Sequence, residues 1–156
     1  MFVKTAKIVT QNSYMRQGRR LKLVDAKVFV DESGFLGATV KLRFQDNLYI
    51  GIWQCENHED KKLEVVAVAT LEAIRKAIPA PVDMYVRKVA QMKPEFLNDI
   101  LIVAMVDIYI EGKRLSLTGC CICEEEDIIY GAARAALDST NRVVEFLLAK
   151  YHKKND

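Results

Sequence analysis

The chain has 156 residues, 51% of them apolar and 28% charged, with a formal net charge of +2. That balance supports a packed core and excludes an intrinsically disordered chain. No apolar run reaches the roughly 20 residues of a membrane-spanning helix, and "MFVKTAK" lacks the apolar core of a signal peptide, so a cytoplasmic location is expected.

The charge is unevenly spread. Lys4, Lys7, Arg16, Arg19, Arg20 and Lys22 precede Asp25, and no acidic residue does. Residues 1–21 therefore form a basic N-terminal arm. A basic arm can meet nucleic acid or a membrane surface. This one is short and has little aromatic interleaving, so no nucleic-acid partner is expected.

Residues 22–30 alternate, with Val24, Ala26, Val28 and Val30 assigned to one face, and "DESG" forms a turn. In residues 35–44, Leu36, Ala38, Val40, Leu42 and Phe44 face one way, while Thr39, Lys41 and Arg43 face the other. This is a strand with one solvated face. After "QDN", residues 48–55 form a third strand, and the polar loop "ENHEDKK" follows. Leu63, Val66, Ala67, Thr70, Leu71, Ile74 and Ile78 then recur at helical spacing, and "PAP" at 79–81 ends the helix.

The order then repeats. Residues 83–91 read as a strand, and "MKPEFLND" as a connection. The strand from Ile100 to Ile110 is apolar on both faces, which predicts a central strand buried on both sides. "EG" at 111–112 signals a hairpin into residues 113–123. A helix spans about 127–150, with Ile129, Ala132, Ala133, Ala136, Thr140, Val143, Val144 and Leu147 on one face.

The fold class predicted is α+β: a duplicated β-β-β-α unit with pseudo-twofold symmetry, whose antiparallel or mixed sheets pack on two long helices. The interval from Gly51 to Gly119 equals that from Cys55 to Cys123. Leu71-Glu72-Ala73 matches Leu137-Asp138-Ser139 at an interval two residues shorter. Residues 22–150 form one domain of two repeats, 22–79 and 82–150, followed by a tail at 151–156. A homodimer would bury the remaining apolar surface. The small residues Gly131, Ala132, Ala133, Ala135 and Ala136 predict that the second helix is closely packed on more than one side.

Three side-chain clusters raise the question of chemistry. Glu124, Glu125, Glu126 and Asp127 read as a helix start, with Asp127 as N-cap and the acids on the positive end of the dipole. A cation or amine site is the alternative. Cys120, Cys121, Cys123, Cys55 and His58 make a tempting zinc set. Structural zinc usually takes C-x₂₋₄-C pairs from turns, and an in-strand C-x-C does not offer them. These cysteines read as small buried hydrophobes in a reducing compartment, so no metal is expected. Cys55 and Cys123 are expected to approach each other across the pseudo-twofold only as a minor alternative. No nucleophile–base pair, no phosphate-binding glycine loop and no cofactor motif is readable, so no catalytic residue is assigned and no enzyme is expected.

The second helix start, Asp127-Ile128-Ile129-x-x-Ala132-x-Arg134-Ala135-x-Leu137-x-x-x-Asn141-Arg142, resembles the end of the C-terminal regulatory domain of alpha-isopropylmalate synthase. Citramalate synthases carry the same module. The resemblance covers most of residues 22–150. It implies a duplicated β-β-β-α domain that dimerises, binds an end-product amino acid near its pseudo-symmetric interface and signals to a separate catalytic barrel. This sequence holds no barrel, so the resemblance implies a stand-alone regulatory module. It also departs from the family's glycine-rich turns, which here read "ENHEDKK" and "EEED". Carboxylates at that position would repel a ligand carboxylate.

The function expected is a non-enzymatic regulatory or small-ligand-sensing dimerisation domain, similar to amino-acid-binding allosteric domains. The candidate ligand contacts are Trp53, His58, Glu126, Asp127 and Tyr130, between the sheet ends and the helix starts. The alternatives are an assembly or adaptor module without a small ligand, and a nucleic-acid-associated protein using the basic arm.

Overall fold

A computed structural model describes residues 20–152. The basic arm up to residue 19, and with it the nucleic-acid reading, lies outside the described residues, as does the chain after residue 152. The elements in order are β1 (Lys22–Val30), β2 (Leu36–Phe44), β3 (Asn47–Cys55), α1 (Lys62–Ala77), β4 (Asp83–Met92), β5 (Ile100–Ile110), β6 (Lys113–Cys123) and α2 (Ile128–His152). A short 3₁₀ turn precedes each helix, at Glu59–Lys61 and Glu125–Asp127.

The strands form two antiparallel sheets, β1-β2-β3 and β4-β5-β6. The predicted α+β duplication is what the structure shows. Each helix packs on its own second and third strands, and the two helices pack on each other. Each also reaches across: α1 touches β4, and α2 touches β1. That exchange is the pseudo-twofold. Among the described residues no helix is long and apolar enough to cross a membrane.

Local chemistry accounts for the turns. Asp31 Oδ1 accepts from the Ser33 and Phe35 amides at 2.9 and 2.8 Å, and Gly34 takes the left-handed conformation beside them. Glu111 and Gly112 both have positive φ, which the right-handed strand twist favours in a two-residue hairpin. α1 stops at Ala77, and the Ile78 amide donates to Ile74 O at 3.2 Å just before Pro79.

The core lies between the sheets' inner faces and the helix pair. Leu36, Ala38, Val40, Leu42 and Phe44 face it from β2; Ile100, Ile102, Ala104, Val106 and Ile108 face it from β5. A Cβ added at Gly51 would lie 1.9 Å from Ala69 O and 2.5 Å from Ala73 N. At Gly119 it would lie 2.3 Å from Ala135 O and 2.2 Å from Ser139 N. The same two helix positions therefore press backbone against the same strand glycine in both repeats. Ala132, Ala133, Ala135 and Ala136 are fully buried, as the predicted close packing of α2 requires.

Three expectations need correction. Val24 does not share a face with Ala26: a bulge between Leu23 and Asp25 puts Leu23 with the core-facing residues and leaves Val24 exposed. A matching bulge lies between Val86 and Lys88 in β4. β5 is central but is not buried on both sides. Its second face, Leu101, Val103, Met105 and Asp107, is only half-buried, because one helix layer covers one face of a three-stranded sheet. Leu21 is buried, Arg20 pairs with Glu145, and α2 runs to His152. Finally, the acidic run does not cap α2 through side chains. Asp127 N donates to Glu124 O at 3.0 Å, and no carboxylate of Glu124–Asp127 accepts a capping hydrogen bond. The 3₁₀ turn satisfies the backbone instead, and the acids keep only their favourable place near the dipole's positive end.

Candidate functional site

In each repeat the third strand runs out past the helix start, and a polar loop and a 3₁₀ turn bring the chain back. A cleft opens between the strand end and the first two helical turns. The first is about 330 Å³ and the second about 420 Å³. They are the same place in the fold. From strand and loop, Trp53, Cys55 and Glu56 of the first correspond to Cys121, Cys123 and Glu124 of the second. From turn and helix, Lys61, Glu64, Val65 and Val68 correspond to Asp127, Tyr130, Gly131 and Arg134.

The linings differ in chemistry. In the first cleft the charges pair locally. Lys61 Nζ donates to Glu64 Oε2 at 2.9 Å, and His58 Nε2 lies 3.5 Å from Glu56 Oε2. Trp53, 45% exposed, offers an open aromatic wall. The second cleft holds Asp99, Glu124 and Asp127 with one cation, Arg134, whose guanidinium lies beside the Cys121 thiol. Its helix wall is tightly packed at Gly131, where a Cβ would meet Cys123 Sγ at 2.6 Å.

Tyr130 ties the second cleft to the other repeat. Its hydroxyl donates to Asp25 Oδ1 of β1 at 3.0 Å. Burial opposes ionisation of Asp25, but the hydrogen bonds from Tyr130 and Lys27 and the charge of Lys27 outweigh it and hold the carboxyl below its ordinary value. The same bond, with burial, pushes the Tyr130 hydroxyl up.

The cysteines are free thiols. Burial pushes Cys55, Cys121 and Cys123 up, reinforced by Glu64 at Cys55 and by Cys121, Asp127 and Asp99 at Cys123. At Cys121 the Arg134 guanidinium partly opposes it. All three are therefore thiols at neutral pH and weak nucleophiles. Cys120 points to the opposite face of the sheet, and no group of three or more metal-ligating side chains gathers among the described residues. Cys55 and Cys123 line separate clefts and form no disulfide.

The predicted site residues fall in both places. Trp53 and His58 line the first cleft; Asp127 and Tyr130 line the second; Glu126 lines neither and is exposed. Trp53 and Tyr130 thus wall equivalent clefts, not a shared pocket. Sequence reading missed Asp25, Asp99 and Arg134. Arg134 was within reach: Asp127, Tyr130 or Gly131, and Arg134 recur at helical spacing, and the repeat register pairs Arg134 with Val68. Compared with known proteins, the sequence matches no family profile and no curated protein.

Proposed function

We propose that this chain is a regulatory domain without catalytic chemistry, which dimerises and senses a small amino-acid-like ligand in the manner of the alpha-isopropylmalate synthase regulatory domain that it resembles. The carrying observation is the pair of equivalent clefts, built identically from strand end and helix start yet lined differently. Duplication preserved the hollow in both copies while the residues facing it diverged, which fits a place where something binds. Each cleft holds acidic and basic side chains, as a zwitterion needs. Acids outnumber bases in the second, so there the ligand's amine makes the main contact, and its carboxylate falls to Arg134.

Thermal unfolding with amino acids and related metabolites tests this reading. A ligand at about 100 times its Kd adds roughly 2.7 kcal/mol, a rise of about 5–10 °C in Tm for a domain of this size. Trp53→Ala and Arg134→Ala then assign the response to one cleft. Absence of stabilisation by every compound would sink the ligand reading. An assembly module would then stand as the second reading, favoured by the outer face of β5, with Leu101, Val103 and Met105, which no described residue fully covers.

A further inference from the structure

The inner face of β6 sends Gly119, Cys121 and Cys123 toward α2, because their cross-strand partners Ala104, Ile102 and Ile100 are core residues. Helix backbone presses on the glycine, and the two cysteines, both half-buried, line the second cleft. Their sulfurs lean into one stretch of its wall. Cys121 Sγ reaches forward along the strand to Ile122 O, at 3.6 Å. Cys123 Sγ lies 2.6 Å from the point where Gly131 would carry a Cβ. Ile102 Cδ1, from the residue opposite Cys121, lies 2.7 Å from the same point.

We propose that Cys121 and Cys123 form a two-coordinate site for a soft monovalent metal ion, Cu(I). Spacing is the first argument. Alternate residues of a strand stand about 6.7 Å apart on one face. A disulfide needs Cβ atoms about 3.8 Å apart, so the pair is too wide for a direct S–S bond. Two metal–thiolate bonds of about 2.3 Å, end to end, bridge roughly 4.6 Å, so each thiol has to lean inward by only about 1 Å.

Coordination number is the second argument. Structural zinc takes four ligands, and no group of three or more ligating side chains gathers among the described residues. Cu(I) is closed-shell, selects soft sulfur and is satisfied by two thiolates in line. Charge is the third. Binding forms two Cu–S bonds, each thiol releases its proton to solvent, and no electron changes hands. One positive charge enters and two leave, so the complex gains a negative charge. Arg134, whose guanidinium lies beside the Cys121 thiol, faces that charge. Asp99 and Asp127, on the side of Cys123, attract the incoming ion.

The first repeat supplies the control. Cys55 holds the place of Cys123, but Trp53 holds that of Cys121, so the first cleft is lined by a single thiol.

Cu(I) titration of the full chain, without oxygen and against bicinchoninate as competing chelator, is the measurement. The wild type should bind one equivalent, and X-ray absorption should show two sulfur neighbours. Cys121→Ser and Cys123→Ser should each weaken binding more than about 100-fold with unchanged circular dichroism, beyond what a residue that merely supports a ligand contributes. Cys55→Ser and Cys120→Ser, in the other cleft and on the opposite face, should stay within about threefold of wild type. Trp53→Cys builds the same pair into the first cleft and should raise the stoichiometry to two. A wild type that binds no Cu(I), half an equivalent shared between two chains, or binding that survives loss of either Cys121 or Cys123 overturns the proposal. So does a Trp53→Cys chain that takes up only one ion. The site uses the thiols and not the charges that the proposed amine contact needs. Copper binding in a chain that no amino acid stabilises therefore keeps this inference and sinks the ligand reading, and the reverse pattern sinks this inference alone.

Discussion

On the outer face of the first sheet the central strand shows Gly37, Thr39, Lys41 and Arg43; the equivalent positions of the second sheet hold Leu101, Val103, Met105 and Asp107. Inside, the repeats agree closely. Both carry a bulge in the first strand, and both seat a helix backbone on one glycine of the third strand. The difference teaches where constraint lies. Backbone against backbone leaves no room for a side chain, so the glycine cannot change. The outer face touches nothing among the described residues, so the central strand of one copy could become basic there and that of the other largely apolar. The clefts follow the same rule, with a preserved hollow and divergent walls.

The largest effects should come from breaking what the repeats share. Gly51→Ala and Gly119→Ala each drive a methyl into helix backbone, and each should destabilise by at least about 2 kcal/mol in chemical denaturation. The two losses should agree to within about 1 kcal/mol. A large loss at one and none at the other would mean that the repeats are not packed alike.

Gly131→Ala sharpens the contrast between shared and divergent positions. Its new methyl meets the ends of Cys123 and Ile102 side chains, which can give way, and alanine gains about 1 kcal/mol of helix propensity over glycine. The net change is expected within about 1 kcal/mol of wild type. A loss as large as that at Gly119 would contradict the distinction between backbone and side-chain neighbours.

The smallest effect concerns the hydrogen bond that joins Tyr130 of the second cleft to Asp25 of the first repeat. Asp25 is held below its ordinary value of 3.8 and Tyr130 above its ordinary 10.0. The lowered carboxyl contributes stability above pH 3.8 that is lost as pH falls through its folded value. The raised hydroxyl contributes stability below pH 10.0 that is lost as pH rises through its folded value. Tyr130→Phe should therefore be slightly less stable than wild type between those limits, and the gap should close at acid and alkaline pH. A gap that is constant across the whole range would assign the loss to packing instead.

Much of the architecture was legible because it is written at short range. The alternation of β2, the helical spacing of α1 and α2, the Glu111-Gly112 hairpin and the proline stop after α1 depend on neighbours a few residues apart. The interval from Gly51 to Gly119 was legible for a different reason: a duplicated steric demand leaves a duplicated residue. Even so, the apolar second face of β5 could not reveal whether anything covers it. Side-chain periodicity shows that a face is apolar, not that a helix lies on it.

The rest required the folded chain. A bulge is a mismatch between two strands, so Val24 looked like its alternating neighbours until β2 was set beside β1. The candidate site behaved likewise. Trp53, His58, Asp127 and Tyr130 lie at strand ends and helix starts, but only the tertiary structure divided them between two clefts. Only it joined Tyr130 to Asp25, far away in sequence, because a hydrogen bond between repeats depends on how two units pack and leaves no periodic trace in either.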